Sequence, residues 1–518
     1  MNGTDLLALA PMLVLSMGCV LVMLSIAWRR SNLQTAGVTG ISMILSLAAL
    51  IPALSRPDMR VAPLFLFDGY FVFACALVLF SALIVLLMSI AYIGALPHVP
   101  VDEYYLLLLI ATLGAVIMLA SDHFVTFFLG LETLSVALLG LIAYPRHRLD
   151  ATEAAMKYLV LAGTSSAFLL FGIALIYAVN GSLAFVPAAS SLASGASVTA
   201  HANLYRVAAL ALILTGIGYK LSIVPFHMWA PDIYEGAPAP SAAFVAVVSK
   251  LAVFTVLIRY FVSIPSNADH TAITAIAVFA VLSMIIGNLL ALGQNNLKRL
   301  LAYSSVAHLG YLLVAFLSRH TLGIEASSFY LAAYAVTTLG AFGVVTALSD
   351  PRDTQDAGDL ETYRGLFWRR PWLAGVLTMM LMSLAGIPPT MGFIAKAYVM
   401  VAGVGANLTI PLSALIVGSI IGLYYYLRVI VVMLLPVQEQ ALPLRPVSFG
   451  GGTALALLAV VLVLLGIYPA GLIPAIKAGT PEIMASSSTP QGLQNHAVTF
   501  PAHSKNAEPG TIKQAYNR

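Results

Sequence analysis

Fourteen apolar runs, most of about twenty residues or more, succeed one another along this chain, and they constrain its fold more than any other feature. A hydrocarbon layer about 30 Å thick takes about 20 residues of helix at about 1.5 Å each. The runs cover roughly 5–27, 36–55, 69–95, 103–120, 123–144, 153–179, 205–229, 240–262, 271–292, 298–318, 326–349, 371–402, 409–435 and 450–474. An open strand edge in lipid would leave backbone groups unpaired, so each run is expected as a helix. Charge agrees with this. Of 518 residues, 60% are hydrophobic and 9% charged, against about a quarter charged in a soluble chain. The 25 Lys and Arg with 21 Asp and Glu cannot coat the three or four soluble domains that such a length suggests. The expected fold class is an all-α polytopic membrane protein, which excludes soluble enzymes, nucleic-acid binders, collagen-like chains and disordered proteins.

Other bulk features add exclusions. No basic run accompanies the net charge of +4, so no row of phosphates is matched. Cys19 and Cys75 lie inside apolar runs without CxxC spacing, which argues against disulfides, zinc and iron–sulfur clusters. The first charge is acidic, Asp5, so the first run reads as a permanent helix and not a cleaved signal.

Lys and Arg placement sets an expected orientation. Loops after odd-numbered helices hold Arg29, Arg30, Arg146, Arg148, Lys298, Arg299, Arg352, Arg364, Arg369, Arg370 and Arg445. Loops after even-numbered helices hold Arg56, Arg60 and Arg319, with Arg206 and Arg259 at helix edges, giving eleven against five. Both termini are therefore expected on the non-cytoplasmic side. Residues 1–474 form one integral membrane domain, and 475–518 turn to Ser, Thr, Pro, Gln and Asn and read as a polar, mobile tail. Residues 180–204 read as an external loop, and the charge-dense loop 350–370 as cytoplasmic.

The charges inside the runs carry the chemistry. An ionised side chain at mid-membrane costs about 2.5–3.5 kcal/mol. Glu132 lies about ten residues into FVTFFLGLETLSVALLGLIAY, and Lys220, Lys250 and Lys396 are similarly deep. Arg428 is a fourth buried base, placed so that it can reach the cytoplasmic end. One Glu cannot pair with three Lys, and a desolvated lysine gives up its proton more readily than a solvated one. The set therefore points to proton handling, against a purely structural reading as ion pairs.

Helix breakers accompany two of the lysines. Lys220 precedes Pro225 in GIGYKLSIVPFHMWAPD, and Lys396 follows Gly386, Pro388 and Pro389 in SLAGIPPTMGFIAKAYV. Proline removes a backbone donor, so the seventh and twelfth helices are expected to be interrupted there. Matching breaks five helices apart suggest inverted repeats of helices 4–8 and 9–13, with the functional site at the breaks. His308 sits near the middle of the tenth helix beside Tyr303, Ser304 and Ser305, as a packing residue or a neutral relay. His227 reads as near the membrane surface, and Tyr424-Tyr425-Tyr426 as packing or an interfacial anchor. There is no phosphate loop, HExxH, nucleophile elbow or haem-attachment motif.

These motifs resemble the antiporter-like membrane subunits of proton-pumping NADH–quinone oxidoreductase, respiratory complex I, and among them the subunit N branch. The similarity spans nearly all of residues 60–470, through FLGLETLSVALLGLIAY, EAAMKYLVLAGTSSAFLLFGIALIY, GIGYKLSIVPFHMWAPDIYEGAP, PSAAFVAVVSK, NLKRLLAYSSVAHLGY and LAGIPPTMGFIAKAYV. Lys396 in GFIAKAYV, YYYLRV, and the end of the chain soon after the fourteenth helix favour that branch. The tail after about 475 is longer and more polar than the family pattern.

The resemblance implies a fourteen-helix fold with inverted repeats and two half-channels joined by a polar axis. Glu132 would tune the proton affinity of Lys220, which would load a proton at the helix-seven break. Lys250 and His308 would bridge, and Lys396 would pass the proton to the outer half. The chain would be a subunit of a translocase in the bacterial inner membrane, beside paralogous membrane subunits. It would hold no redox or hydrolytic centre and no cofactor or metal of its own; NADH, FMN, iron–sulfur clusters and quinone would belong to partner subunits. Two alternatives remain: a cation/proton antiporter subunit of the multisubunit Mrp type, and a membrane scaffold with structural ion pairs.

Overall fold

The structure is a computed structural model, and it describes residues 3–52, 59–97, 99–185, 200–262, 270–318, 321–353, 355–437 and 446–479. All fourteen apolar runs fold as helix. They give α1 (Gly3–Trp28), α2 (Asn32–Ala48), α3 (Gly69–Gly94), α4 (Asp102–Leu119), α5 (Phe124–Ile142) and α6 (Leu149–Asn180). The seventh run splits into α7 (Ala200–Leu221) and α8 (Trp229–Gly236). Next, α9 begins as Ala239–Phe244, widens into a π turn at Val245–Ser249 and resumes as Lys250–Val262. Then come α10 (His270–Leu292), α11 (Leu297–Leu317), α12 (Thr321–Leu348), the split pair α13 (Pro371–Ala385) and α14 (Met391–Gly405), α15 (Thr409–Leu434) and α16 (Phe449–Ile467). Twelve helices among the described residues are long and apolar enough to cross a membrane, and the chain is a multi-pass membrane protein. The 17-residue α2 and the two 15-residue halves of the split pair are shorter.

Several boundaries differ from expectation, and two helices show simple reasons. The second helix starts at Asn32 and stops at Ala48, ahead of Pro52, instead of running to 55. The eleventh starts at Thr321 and takes Glu325 into its second turn, where a half-buried carboxylate near a helix end is tolerated. The chain is not purely helical either, because Met59–Val61 pairs antiparallel with Phe65–Phe67 in a small hairpin. Residues 473–479 are helical, and the expected tail beyond 479 lies outside the described residues, as do 186–199 of the expected external loop.

Burial separates the helices into an inner and an outer set. Every residue of the most apolar stretch of α9 is buried, as is 94% of that of α11 and 89% of that of α12, against 33% in α1 and α15. An apolar stripe facing lipid costs nothing, so outer helices can expose Leu24, Val136 or Ile420. A polar group on α9, α11 or α12 instead faces other protein groups. Those helices carry Lys250, His308, Tyr330 and Tyr334, so the fold wraps its apolar shell around a polar seam.

Both breaks occur at the expected prolines. After Leu221 the chain turns at Ser222, which has a left-handed φ of 59°. Pro225 has no N–H to offer, and the Val224 N–H donates to Ser283 Oγ at 2.9 Å instead of to a helical carbonyl. In the second break Gly386 caps α13 with φ 84°. A Cβ there would sit 2.8 Å from Lys396 Cδ, so glycine meets both the backbone and the side-chain constraint. Pro388 and Pro389 then hold the chain out of helix until Met391.

Candidate functional site

The site residues are built up along the seam. Glu132 and Ser135 lie three apart on α5 and so share a face. Half-buried Glu132 accepts a hydrogen bond from Ser166 of α6 at 2.5 Å. Lys220, the penultimate residue of α7, donates to Ser135 Oγ at 2.7 Å. The break at Ser222–Met228 thus delivers the ammonium to the face that carries Glu132. Beside it a cavity of about 10 Å³ is lined by Ser135, Tyr158, Lys220 and Ser249, together with leucines and valines. That is about the smallest volume that admits a water molecule.

Lys250 follows the π turn of α9 and is 1% exposed. Its ammonium donates to Ser305 Oγ on α11 and lies 5.5 Å over the Tyr234 ring. Ser305 is also 2.8 Å from the Tyr334 hydroxyl on α12, which in turn lies 3.0 Å from the Ala246 carbonyl. One turn along α11, His308 is held at both ring nitrogens: Tyr330 is 2.7 Å from Nδ1, and Tyr426 is 3.2 Å from Nε2. Tyr426 also bonds to Ser304. Lys396, on α14, donates back across its break to the Ala385 carbonyl at 2.9 Å and lies 5.1 Å over the Tyr311 ring. A second cavity of about 10 Å³ is bounded by His308, Tyr330, Tyr334, Thr337, Ser383 and Lys396.

The buried ion pairs among the described residues are Arg148–Asp356, Lys298–Asp356 and Arg259–Asp68, and none includes Lys220, Lys250 or Lys396. These pairs add buried charges to the deep ones expected from the sequence. The same Asp356 also accepts from the Tyr92 hydroxyl at 2.5 Å. Asp68 and Arg259 meet through two bonds of 2.8 and 3.1 Å. In sequence, Arg148, Lys298 and Arg259 are loop or helix-edge charges.

The aromatic residues also fall out differently. Of the tyrosine triplet, Tyr424 is exposed, whereas Tyr425 and Tyr426 are buried, the first bonded to Asn288 at 3.0 Å and the second to His308. Tyr330 and Tyr334 were not singled out; their spacing of four on one helix, opposite a deep His, was the available signal. His227 is buried and packs edge-on against Tyr303. Arg428 does reach the end of α10, donating to the Leu292 and Gln294 carbonyls at 3.2 and 3.4 Å.

A family model described as the transmembrane region of NADH:quinone oxidoreductase/Mrp antiporters matches residues 121–422, more than half of the chain and all five residues of the row. The NADH-quinone oxidoreductase subunit N of Chromohalobacter salexigens is 46% identical over 477 residues, covering 92% of this chain and 99% of the relative. The chain belongs to the subunit N family. Its counterpart from Ectopseudomonas mendocina is 44% identical over 482 residues, covering 92% of this chain and 96% of that one. Among solved structures, a chain of the respiratory complex I of Thermus thermophilus with bound aureothin superposes with a TM-score of 0.77 at 31% identity, over 90% of this chain and 100% of that one. A chain of the Mrp complex of a Dietzia species reaches 0.80 at 20% identity, over 94% and 98%, a likeness of fold alone.

Proposed function

We propose that this subunit N relative translocates protons within an NADH–quinone oxidoreductase of the bacterial inner membrane, along Glu132, Lys220, Lys250, His308 and Lys396. The observation that carries the reading is a row of three buried lysines that lack a carboxylate partner among the described residues. Each is held instead by a hydroxyl or a carbonyl, Ser135, Ser305 or the Ala385 oxygen. Such a group can give up its proton without breaking an ion pair. Water-sized cavities lie beside Lys220 and between His308 and Lys396, where a transferred proton needs a carrier. In this reading Glu132 tunes Lys220, Lys250 and His308 bridge, and Lys396 hands on the proton.

Moving one charge against 100 mV takes about 2.3 kcal/mol. In this chain no motif supplies that energy, so it comes from electron transfer in partner subunits, which hold NADH, FMN, iron–sulfur clusters and quinone. The partners include paralogous antiporter-like membrane subunits. The Lys and Arg distribution supports both termini on the non-cytoplasmic side. Breaks five helices apart support two inverted units, helices 4–8 and 9–13 in the fourteen-run count. The Mrp-type alternative is weaker, since the relatives at 44–46% identity carry the subunit N name and the Mrp chain shares 20%.

Lys220→Ala in the intact complex tests the reading, with proton pumping into inverted vesicles and assembly on native gels as readouts. Pumping should fall severely while assembly is retained. Parental pumping with normal assembly would sink the assignment, and loss of assembly would favour the scaffold.

A further inference from the structure

The hydroxyl between Lys250 and Lys396 has more partners than protons. Tyr334 has one O–H and two near neighbours, the Ala246 carbonyl at 3.0 Å and Ser305 Oγ at 2.8 Å. A carbonyl oxygen only accepts, so the Tyr334 proton points to Ala246 when both contacts are satisfied. The Tyr334 hydroxyl is also placed to donate to Ser305 Oγ, which accepts from the Lys250 ammonium; with the Tyr334 proton on Ala246, the Ser305 hydroxyl can turn to the Tyr334 oxygen instead. In that state the order runs end to end: Lys250 N–H to Ser305, Ser305 O–H to Tyr334, Tyr334 O–H to the Ala246 carbonyl. That last acceptor cannot pass a proton on. It belongs to the π turn Val245–Ser249, the one stretch of α9 where the helix is widened, immediately ahead of Lys250.

On its other side Tyr334 borders the cavity of about 10 Å³ that also touches His308, Tyr330 and Lys396. The volume suits a single water, and His308, Tyr330, Thr337, Ser383 and Lys396 stand around it.

We propose that Tyr334 is a two-position proton gate between Lys250 and Lys396: parked on the Ala246 carbonyl of the π turn it closes the path, and turned to the cavity it opens it. This rests on the proton-path reading above and adds a residue and a switch to it. In the open position the Lys250 ammonium gives a proton to the Ser305 oxygen, and Ser305 passes its own hydroxyl proton to Tyr334. Tyr334 releases its hydroxyl proton to the cavity water, which protonates neutral Lys396. Each oxygen gains one proton and loses one, Lys250 ends neutral and Lys396 ends charged. His308, bonded to Tyr330 and Tyr426, stands beside this wire as the other route to the same cavity.

The gate is tested with Tyr334→Phe in the assembled complex, which removes one oxygen and keeps the ring. Readouts are NADH-driven pumping in inverted vesicles, its ratio in H₂O and D₂O, and native-gel assembly. The expected result is normal assembly, a roughly tenfold or greater loss of pumping, and a changed solvent isotope ratio, as for loss of a proton-transfer group. Ser305→Ala, which cuts the same wire one step earlier, should reproduce it. Parental pumping in both variants, with Lys250→Ala inactive, overturns the gate and leaves the path standing; parental pumping in Lys250→Ala as well overturns the path itself. A slower rate with an unchanged isotope ratio, or failure of both variants to assemble, assigns Tyr334 to packing and also overturns the gate.

Discussion

Arg148 and Asp356 meet at 2.9 Å with neither side chain more than 3% exposed, and Lys298 approaches the same carboxylate at 2.8 Å. One carboxylate thereby ties the start of α6, the start of α11 and the loop after α12, with Tyr92 of α3 as a fourth contact. Lys298 also donates to the Glu235 and Ala237 carbonyls, both at 2.7 Å, and so closes off the end of α8. Removing the carboxylate would leave two buried cations facing each other. Asp356→Asn is expected to cost about 3–5 kcal/mol, the range for breaking a buried pair, seen as reduced abundance of assembled complex. Equal abundance at elevated temperature would contradict it.

The same carboxylate sets a pH dependence. Burial pushes the Asp356 pKa up, but the Lys298 and Arg148 charges outweigh it and hold the value below the ordinary 3.8. A depressed carboxylate stabilises the folded state above its unfolded pKa and loses that contribution as pH falls through the folded one. The contribution should therefore be flat between pH 7 and 5 and decline only below about pH 4. Thermal unfolding of the solubilised complex across that range checks this. In Asp356→Asn the acid-side decline from this group should be absent, and an identical decline in both proteins would reject it.

At the opposite ends of the helices, Asp68 has two tasks. It caps α3 by accepting from the Phe71 N–H at 2.7 Å and holds Arg259 of α9 through two bonds. Asp68→Ala should be severe, by about 3–5 kcal/mol for breaking the buried pair with Arg259 and about 1 kcal/mol for the lost cap. Adding Arg259→Met removes the buried cation and should recover most of the first part but not the second. Assembly yields of the two single variants and the double variant form the cycle; no recovery in the double variant would show that the pair acts independently of its charges.

The lysines of the row were legible in the sequence because charge is rare in apolar runs, and both breaks were legible because proline and glycine act locally. What stayed hidden depends on three dimensions. Arg148 and Lys298 sit at helix starts, where sequence reads them as orientation signals, and only the return of Asp356 on a later loop buries them. Tyr330, Tyr334 and Tyr426 carry mostly apolar rings, so pattern alone cannot distinguish a hydroxyl that meets His308 from one that packs. The π turn ahead of Lys250 has no residue signature at all: VAVVS reads as ordinary buried helix.

Gly386 offers a test that leaves every charge in place. Its φ of 84° is left-handed, which costs an L-residue about 1–2 kcal/mol. A methyl there would stand 2.8 Å from Lys396 Cδ and 3.3 Å from Nζ. The side chain must give way, and the ammonium then moves off the Ala385 carbonyl that holds it at 2.9 Å. Gly386→Ala should therefore assemble with modestly reduced stability yet lose pumping out of proportion, because the damage falls on the position of one lysine. Gly375, where an added methyl meets nothing within 4 Å, is the control: Gly375→Ala should pump at the parental rate. Comparable pumping in the two variants would show that the placement of Lys396 does not govern transfer.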